Sequence, residues 1–265
     1  MPTVTSKDGT GIAYNKAGNG PAVILIEGAT GTRLSGVSAG LEPLLMSDFT
    51  VFSYDRRGRG DSGDTPPYSV VREVEDLDAL IAVAGGSAGL FGISSGACLA
   101  LEAAIRLGTR VSALAMYEAP YDSGEGAAEQ WHMYVKHLRS LIQANDRGAA
   151  IALFMKFVGV PEPMVDSMRT SPMWSSLEAL APTLVYDADC LGKDRSVPIR
   201  RAKNVTVRSL IMDGGASVGV MPFMRASAEA LTRVMPNAEH LTLEGQQHNV
   251  EPSALAPVLR NFFKA

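Results

Sequence analysis

The fold is decided by the stretch Leu90-Phe91-Gly92-Ile93-Ser94-Ser95-Gly96-Ala97-Cys98. An apolar run ends in Gly-x-Ser-x-Gly, and a segment rich in Leu and Ala follows it. This pattern predicts a strand, a tight turn and a helix, with Ser94 at the turn in a strained backbone conformation that exposes its hydroxyl. Gly92 and Gly96 allow the strand and the helix to approach closely. The glycine frame selects Ser94 as the candidate nucleophile over Ser95, because the residues two positions either side of Ser95 are not glycine.

Strand and helix patterns alternate on both sides of this stretch. Continuous apolar runs at 22–26, 49–54 and 111–117 are typical of strands that are buried on both faces. Apolar residues recur at helical spacing over 37–46 and 69–84. Strands that alternate with helices predict an α/β fold with a doubly wound, mostly parallel sheet.

The two ends of the chain extend the same pattern. Residues 2–17 predict two short strands, joined by an Asp-Gly turn at 7–10. The C-terminal part predicts a strand, a helix, a strand and a closing helix, at 205–212, 223–235, 240–243 and 252–263.

The middle of the chain has a different pattern. It holds amphipathic segments without clear strands, at 127–144, 147–158, 161–170 and 173–185. We therefore predict a core formed by residues 1–122 and 201–265, interrupted by a helical cap, or lid, over residues 123–200.

Charge and composition narrow the function classes. The chain has 265 residues, of which 46% are hydrophobic and 20% charged, with a net charge of −4, as is typical of a globular protein. No block of Lys and Arg indicates binding to nucleic acid or to an anionic membrane surface. The arginines at 56, 57 and 59 are flanked by acids at 55, 61 and 64, which favours a network within a loop over a phosphate site.

The cysteines and the N-terminus favour a reduced, cytoplasmic compartment. Cys98 and Cys190 are too few for a disulfide framework or a metal cluster. Residues 1–8 have no apolar signal core, and no apolar run approaches a membrane-spanning length. We therefore expect a cytoplasmic protein that needs no metal, with a monomeric or homodimeric state left open.

A serine nucleophile needs a base, and the four histidines differ in their prospects. His248 follows the last predicted strand and precedes the closing helix, which makes it the candidate base. His132 and His137 lie on a predicted surface helix of the insertion. His240 begins a strand, which favours a structural role.

Together these features resemble the α/β-hydrolase superfamily. The resemblance rests on Gly92 to Gly96, the turn-rich loop 55–63, the late segment 245–248 and the helical insertion after Glu118. In that family the nucleophile lies mid-chain and the histidine comes last, before a final helix. The resemblance covers nearly the whole chain and implies Ser94 and His248 as nucleophile and base, without a cofactor.

The third member of the triad departs from the commonest pattern of the family. The acid usually follows the strand at 205–212, and this position falls near Ser217, which carries no charge. Glu118 follows the preceding strand, where haloalkane dehalogenases and zearalenone-type lactonases, to which the chain is similar, have their acid. Asp213 is the only acid close to the usual position, but it lies at the end of the strand, a few residues too early. We therefore favour Glu118 as the acid that orients the histidine and keep Asp213 as the alternative.

The family also implies an oxyanion hole made of two backbone N–H groups. These would come from Ser95 and Ala29, with Gly28 permitting the turn. Many relatives have His-Gly at this loop, whereas this chain has Glu27 before Gly28. Two interpretations remain open, a structural contact of Glu27 or a role as an extra acid or base.

These observations predict a serine hydrolase that acts on a small molecule. Trp131, Trp174 and several methionines of the insertion indicate an apolar pocket, with Glu27 and Gly28 at its edge. We expect a carboxylic ester or lactone of moderate size as the substrate. A cofactor-independent lyase, cyclase or decarboxylase on the same fold is the second hypothesis, and a non-catalytic small-molecule binding protein is the third.

Overall fold

Eight strands and eleven helices make up the computed structural model, which describes residues 1–265. The strands are Thr3–Thr5 (β1), Gly11–Ala17 (β2), Ala22–Ile26 (β3), Thr50–Tyr54 (β4), Ala88–Ile93 (β5), Val111–Tyr117 (β6), Ser209–Gly214 (β7) and Ala238–Leu243 (β8). The helices are Gly36–Leu45 (α1), Val70–Val83 (α2), Ser95–Leu107 (α3), Ala127–Gln143 (α4), Arg147–Phe157 (α5), Glu162–Arg169 (α6), Trp174–Leu180 (α7), Leu184–Leu191 (α8), Ile199–Ala202 (α9), Phe223–Val234 (α10) and Pro252–Lys264 (α11).

All eight strands form one sheet, in the order β1-β2-β4-β3-β5-β6-β7-β8. β1 and β2 pair antiparallel, β2 pairs antiparallel with β4, and every other pair is parallel. The predicted doubly wound, mostly parallel sheet is therefore confirmed. The carboxyl ends of the parallel strands meet at one edge of the sheet, where ligand sites of such folds lie. β5 is central, and its last residue, Ile93, is in register with Tyr117 of β6.

Two predicted elements need correction. β7 begins at Ser209 instead of at residue 205, and upstream of it the Thr206 carbonyl oxygen accepts a hydrogen bond from the Asn237 side chain. The predicted segment 173–185 is broken after α7 by a 3₁₀ turn, Ala181–Thr183, whose Pro182 has no N–H to donate. α8 then follows, which the sequence pattern did not predict.

The core lies on both faces of the sheet, as the unalternating strands require. One layer packs beneath α2, α3 and α10 and continues into the helices between β6 and β7, while the other packs beneath α1 and α11. We call the helices from α4 to α9 the helical insertion. Cys98 and Cys190 are both free and buried, and burial raises the pKa of the Cys98 thiol to about 12. No helix has the length and apolarity needed to cross a membrane.

Glycine is required where β5, α3 and the loop after β3 meet. A side chain on Gly96 would put its Cβ 2.3 Å from the Ile26 carbonyl oxygen and 2.6 Å from the Glu27 carbonyl oxygen. A Cβ on Gly92 would lie 2.3 Å from the Gly96 carbonyl oxygen. Both clashes are with backbone atoms, which cannot rotate away. The close approach predicted for these glycines is therefore confirmed.

We expect Gly96→Ala to destabilise the protein by at least about 2 kcal/mol, because overpacking against fixed backbone must displace α3. Gly11→Ala is the matched control, since a Cβ there meets nothing within 4 Å and the stability should change by less than about 1 kcal/mol. Denaturant unfolding of both variants checks the difference. Equal stability of the two would contradict the close approach.

Candidate active site

Ser94 lies at the turn between β5 and α3, and its backbone is strained. Its φ and ψ are 56° and −129°, and its N–H donates to the Tyr117 carbonyl oxygen at 3.0 Å. The residue is partly exposed, between fully buried neighbours. Thr30 and Glu118 also have positive φ, so three of the five non-glycine residues with this conformation border one region. Such clustering of strain is typical of functional sites.

Glu118 and His248 form a hydrogen-bonded pair beside this turn. His248 Nδ1 lies 2.7 Å from Glu118 Oε2, and the Gly214 N–H donates to Glu118 Oε1 at 2.9 Å. The Glu118 side chain is fully buried, whereas the His248 side chain is 30% exposed. Both carboxylate oxygens are therefore held, and the imidazole is oriented with its other nitrogen free.

Tyr117 fixes the loop that carries His248, a role that the sequence did not reveal. Its hydroxyl donates to the Gln247 carbonyl oxygen at 2.6 Å. Gly214 leaves space for this contact, because a Cβ there would lie 2.6 Å from the Tyr117 hydroxyl. Tyr117, the last residue of β6, thus positions the loop that carries His248, while the next residue, Glu118, binds the imidazole.

Sheet pairing brings Ser94 and His248 to the same edge without a hydrogen bond between their side chains. The Ser94 backbone is bonded to Tyr117, and the adjoining Glu118 is bonded to His248. Catalytic hydrogen bonds often tighten only once a substrate is bound. Ser94, His248 and Glu118 are therefore candidates for the hydroxyl, imidazole and carboxylate of a triad.

Asp213, the alternative acid, is engaged elsewhere. Its carboxylate lies 2.7 Å from His240 Nε2 and accepts hydrogen bonds from Thr242 Oγ1 and Arg225 Nε, each at 2.9 Å. It makes no hydrogen bond to His248. The alternation of side chains along β7 explains this, because Met212 packs on the α11 side of the sheet and Asp213 on the opposite side. The geometry therefore favours Glu118 over Asp213, and His240 has the structural contacts expected of it.

The loop after β3 touches Ser94 directly. A Cβ on Gly28 would lie 2.9 Å from Ser94 Cβ and 3.5 Å from Ser94 Oγ. The Ala29 N–H donates to no group of the protein, and Ser95 is the first residue of α3, whose N–H has no partner within the helix. Two backbone donors are therefore available on either side of the serine.

Glu27 points away from these donors, under its own loop. Its carboxylate accepts the Ser38 N–H in the first turn of α1, and it packs against Gly31 and Gly36, where a Cβ would collide with it. Burial raises the pKa of Glu27, although the Ser38 N–H opposes the shift. The structural interpretation of Glu27 is favoured over a role in acid–base chemistry.

The arginines at 56, 57 and 59 form the predicted loop network, but with other acids. Arg56 binds Glu73 through Nε and Nη2, and binds Asp187 through Nη1. Burial raises the pKa of Glu73, but Arg56 outweighs it and lowers the value to about 2. Arg57 pairs with Asp76 and Asp8, and Arg59 pairs with Asp187. The neighbouring acids at 55 and 61 bind Arg33 instead.

The two tryptophans lie buried in the helical insertion. Trp131 donates to the Gly192 carbonyl oxygen at 2.9 Å, and Trp174 donates to Glu178 at 3.0 Å. A cavity of about 250 Å³ opens between α3, α8 and α9, and its lining includes neither tryptophan and neither Ser94 nor His248. The part of the two tryptophans in a substrate pocket stays a prediction.

No group of His, Cys, Asp and Glu side chains is arranged to hold a metal ion.

The fold and this constellation match a known family. Residues 28–253 match the sequence pattern of the Alpha/beta hydrolase family. An alpha/beta hydrolase from Sphaerobacter thermophilus is 45% identical, with 99% of this chain and 100% of that chain covered and a TM-score of 0.88. The chain therefore belongs to the alpha/beta hydrolase family, and this membership supports a hydrolase activity.

More distant structures share the fold. An enol-lactonase from Burkholderia xenovorans is 20% identical over the full length of both chains, with a TM-score of 0.71. An esterase from Exiguobacterium antarcticum is 19% identical over 99% of both chains, with a TM-score of 0.76. No curated protein matches the sequence.

We expect Glu27→Gln to gain stability relative to the wild type as the pH rises. A buried carboxyl with a raised pKa stabilises the fold fully below its unfolded pKa, and this contribution is lost as pH rises through the folded pKa. The amide of the variant would keep an acceptor for the Ser38 N–H without that dependence. The free energies of unfolding, measured from about pH 5 to about pH 8, should diverge in favour of the variant. A difference that is constant with pH would contradict the burial effect.

Proposed function

We propose that the protein is a serine hydrolase that cleaves a carboxylic ester or lactone through an acyl-enzyme. The observation that carries the proposal is the strained turn at Ser94 beside the Glu118–His248 pair, which is hydrogen-bonded at 2.7 Å. A serine hydroxyl is a weak nucleophile, so it reacts only with a base whose orientation is fixed. These residues provide both at one edge of the sheet.

Each of the named residues has a separate role in the proposed reaction. Ser94 Oγ attacks the substrate carbonyl while His248 Nε2 takes its proton, and Glu118 stabilises the resulting imidazolium through Nδ1. The Ala29 and Ser95 N–H groups bind the oxyanion. His248 then protonates the leaving oxygen, which departs as an alcohol or stays attached in the opened lactone. Water, deprotonated by His248, finally releases the acid and regenerates Ser94.

The helical insertion is proposed to act as the lid that selects the substrate. Its aromatic side chains stack on one another, as the buried Tyr134 and the partly buried Phe157 do at 4.1 Å between ring centroids. Its apolar interior is continuous with the core around α3. A substrate of moderate size with an apolar acyl or alcohol part fits a site covered by such an element. No cofactor enters this scheme, because every proton and electron pair is accounted for by the residues named.

The wild type should form a single covalent adduct with a fluorophosphonate, and Ser94→Ala should form none. The reagent reacts with serines that are activated by a base and an oxyanion hole, so intact mass before and after exposure measures the activation. A panel of p-nitrophenyl esters and lactones then tests the substrate class, with Ser94→Ala as the blank. A folded wild type with neither an adduct nor turnover would overturn the proposal and favour a lyase or a binding protein.

Glu118→Gln should lower kcat for an ester by about 10³-fold or more, because the imidazole loses both its orientation and its counter-charge. Asp213→Asn is the matched control, since it changes an equally buried carboxylate that also lies beside a histidine. Asp213→Asn should lower the stability of the fold, while kcat of the folded variant stays within about threefold of the wild-type value. If Asp213→Asn instead shows the large loss, the acid has been assigned to the wrong strand.

A further inference from the structure

Asp187 is a buried carboxylate of the helical insertion that contacts Ser95, the residue after Ser94. Its Oδ1 accepts hydrogen bonds from Ser95 Oγ at 2.7 Å, Arg56 Nη1 at 2.7 Å and Arg59 Nη2 at 2.8 Å, and Oδ2 accepts from Arg59 Nη2 at 2.8 Å. The residue is 6% exposed, and both arginines are 1% exposed. A single side chain of α8 therefore holds Ser95 and two arginines of the loop after β4.

Arg59 links Asp187 to the second candidate oxyanion donor, the Ala29 N–H. Its Nη1 donates to the Gly28 carbonyl oxygen, and that carbonyl belongs to the same peptide unit as the Ala29 N–H. In a planar trans peptide the C=O and N–H point in opposite directions. Fixing the Gly28 carbonyl on Arg59 therefore fixes the direction of the Ala29 N–H. A cationic donor on the carbonyl also polarises the peptide, which strengthens its N–H as a donor.

We propose that Asp187 and Arg59 are positioning residues for the oxyanion hole, so that the helical insertion completes the hole as well as covering it. Asp187 fixes Ser95 through its hydroxyl and fixes Ala29 through Arg59 and Gly28. Neither residue touches the substrate. The inference rests on the proposed function, because it assigns a role to the two N–H groups in that reaction.

A purely structural ion pair would have a different signature from a positioning role. Negative charge on the carbonyl oxygen develops in the transition state, so misaligned donors lower kcat and leave KM nearly unchanged. A network that only stabilises the fold lowers the melting temperature and leaves the kinetics of the folded protein intact. The two effects are therefore separable in one set of variants.

Asp76 provides the matched control within the same loop network. Its carboxylate accepts from Arg57 Nη2 and Nε at 2.7 and 2.8 Å, and it is at least as buried as Asp187. It contacts neither Ser95 nor the loop after β3. Asp187→Asn and Asp76→Asn make the same isosteric change next to a buried arginine. Arg57 keeps Asp8 in one variant and Arg56 keeps Glu73 in the other, while Arg59 loses its one carboxylate partner.

The test compares kcat and KM for a p-nitrophenyl ester, and the inhibition constant of a trifluoromethyl ketone, whose adduct on serine carries an oxyanion. Asp187→Asn should lower kcat by about tenfold or more and raise the inhibition constant of the ketone by a similar factor. KM should stay within about twofold of the wild-type value. Asp76→Asn should change all three by less than about twofold while lowering the melting temperature. Identical kinetics of the two variants would overturn the inference.

Arg59→Lys decides the question if Asp187→Asn does not fold. A lysine keeps the charge opposite Asp187 but lacks the planar fork that bonds the carboxylate and the Gly28 carbonyl together. It should show the same loss in kcat and in ketone binding, and normal kinetics would overturn the inference. A wild type that forms no fluorophosphonate adduct overturns the proposed function itself, whereas an active wild type with unaffected variants overturns only the positioning role.

Discussion

The contact between α3 and the loop after β3 leaves no room for a side chain at Gly96, and the rest of the site depends on it. Because the helix begins this close to the sheet, the chain must turn sharply at Ser94, which accounts for its φ of 56°. The same contact places Gly28 against the serine. The nucleophile, the candidate oxyanion donors and the strain at Ser94 therefore depend on the same close approach, which the glycines at 28, 92 and 96 permit.

Two neighbouring strands together position the candidate acid, Glu118. Glu118 follows β6, yet its carboxylate accepts the Gly214 N–H at the end of β7. It thus binds the end of β7, the strand after which the resemblance to the family leads us to look for the acid. Asp213 is only one residue from Gly214, but the alternation of side chains turns it toward α10 and His240. Position along a strand matters less than the face on which a side chain emerges.

Much of the fold followed from the sequence, since apolar runs and helical spacing report burial directly. The glycines around Ser94 and the spacing to Glu118 also identified groups that the structure brings to one edge. Asp187 and α8 did not follow, because an acid in a short helix has the appearance of a surface residue. Its partners Arg56 and Arg59 lie 131 and 128 residues away. Contacts over such separations leave no local pattern, and only the packing of the helical insertion on the core creates them.

The ion pairs of Asp187 make the insertion and the core one electrostatic unit. Arg56 and Arg59 are fully buried, and a part of their counter-charge comes from α8. Removing one partner of a buried pair costs about 3–5 kcal/mol, because an uncompensated charge remains. The helical insertion is therefore not an exchangeable module. A chimera that places another relative's helices on this core would need an acid at the same point, or arginines replaced by neutral residues beneath it.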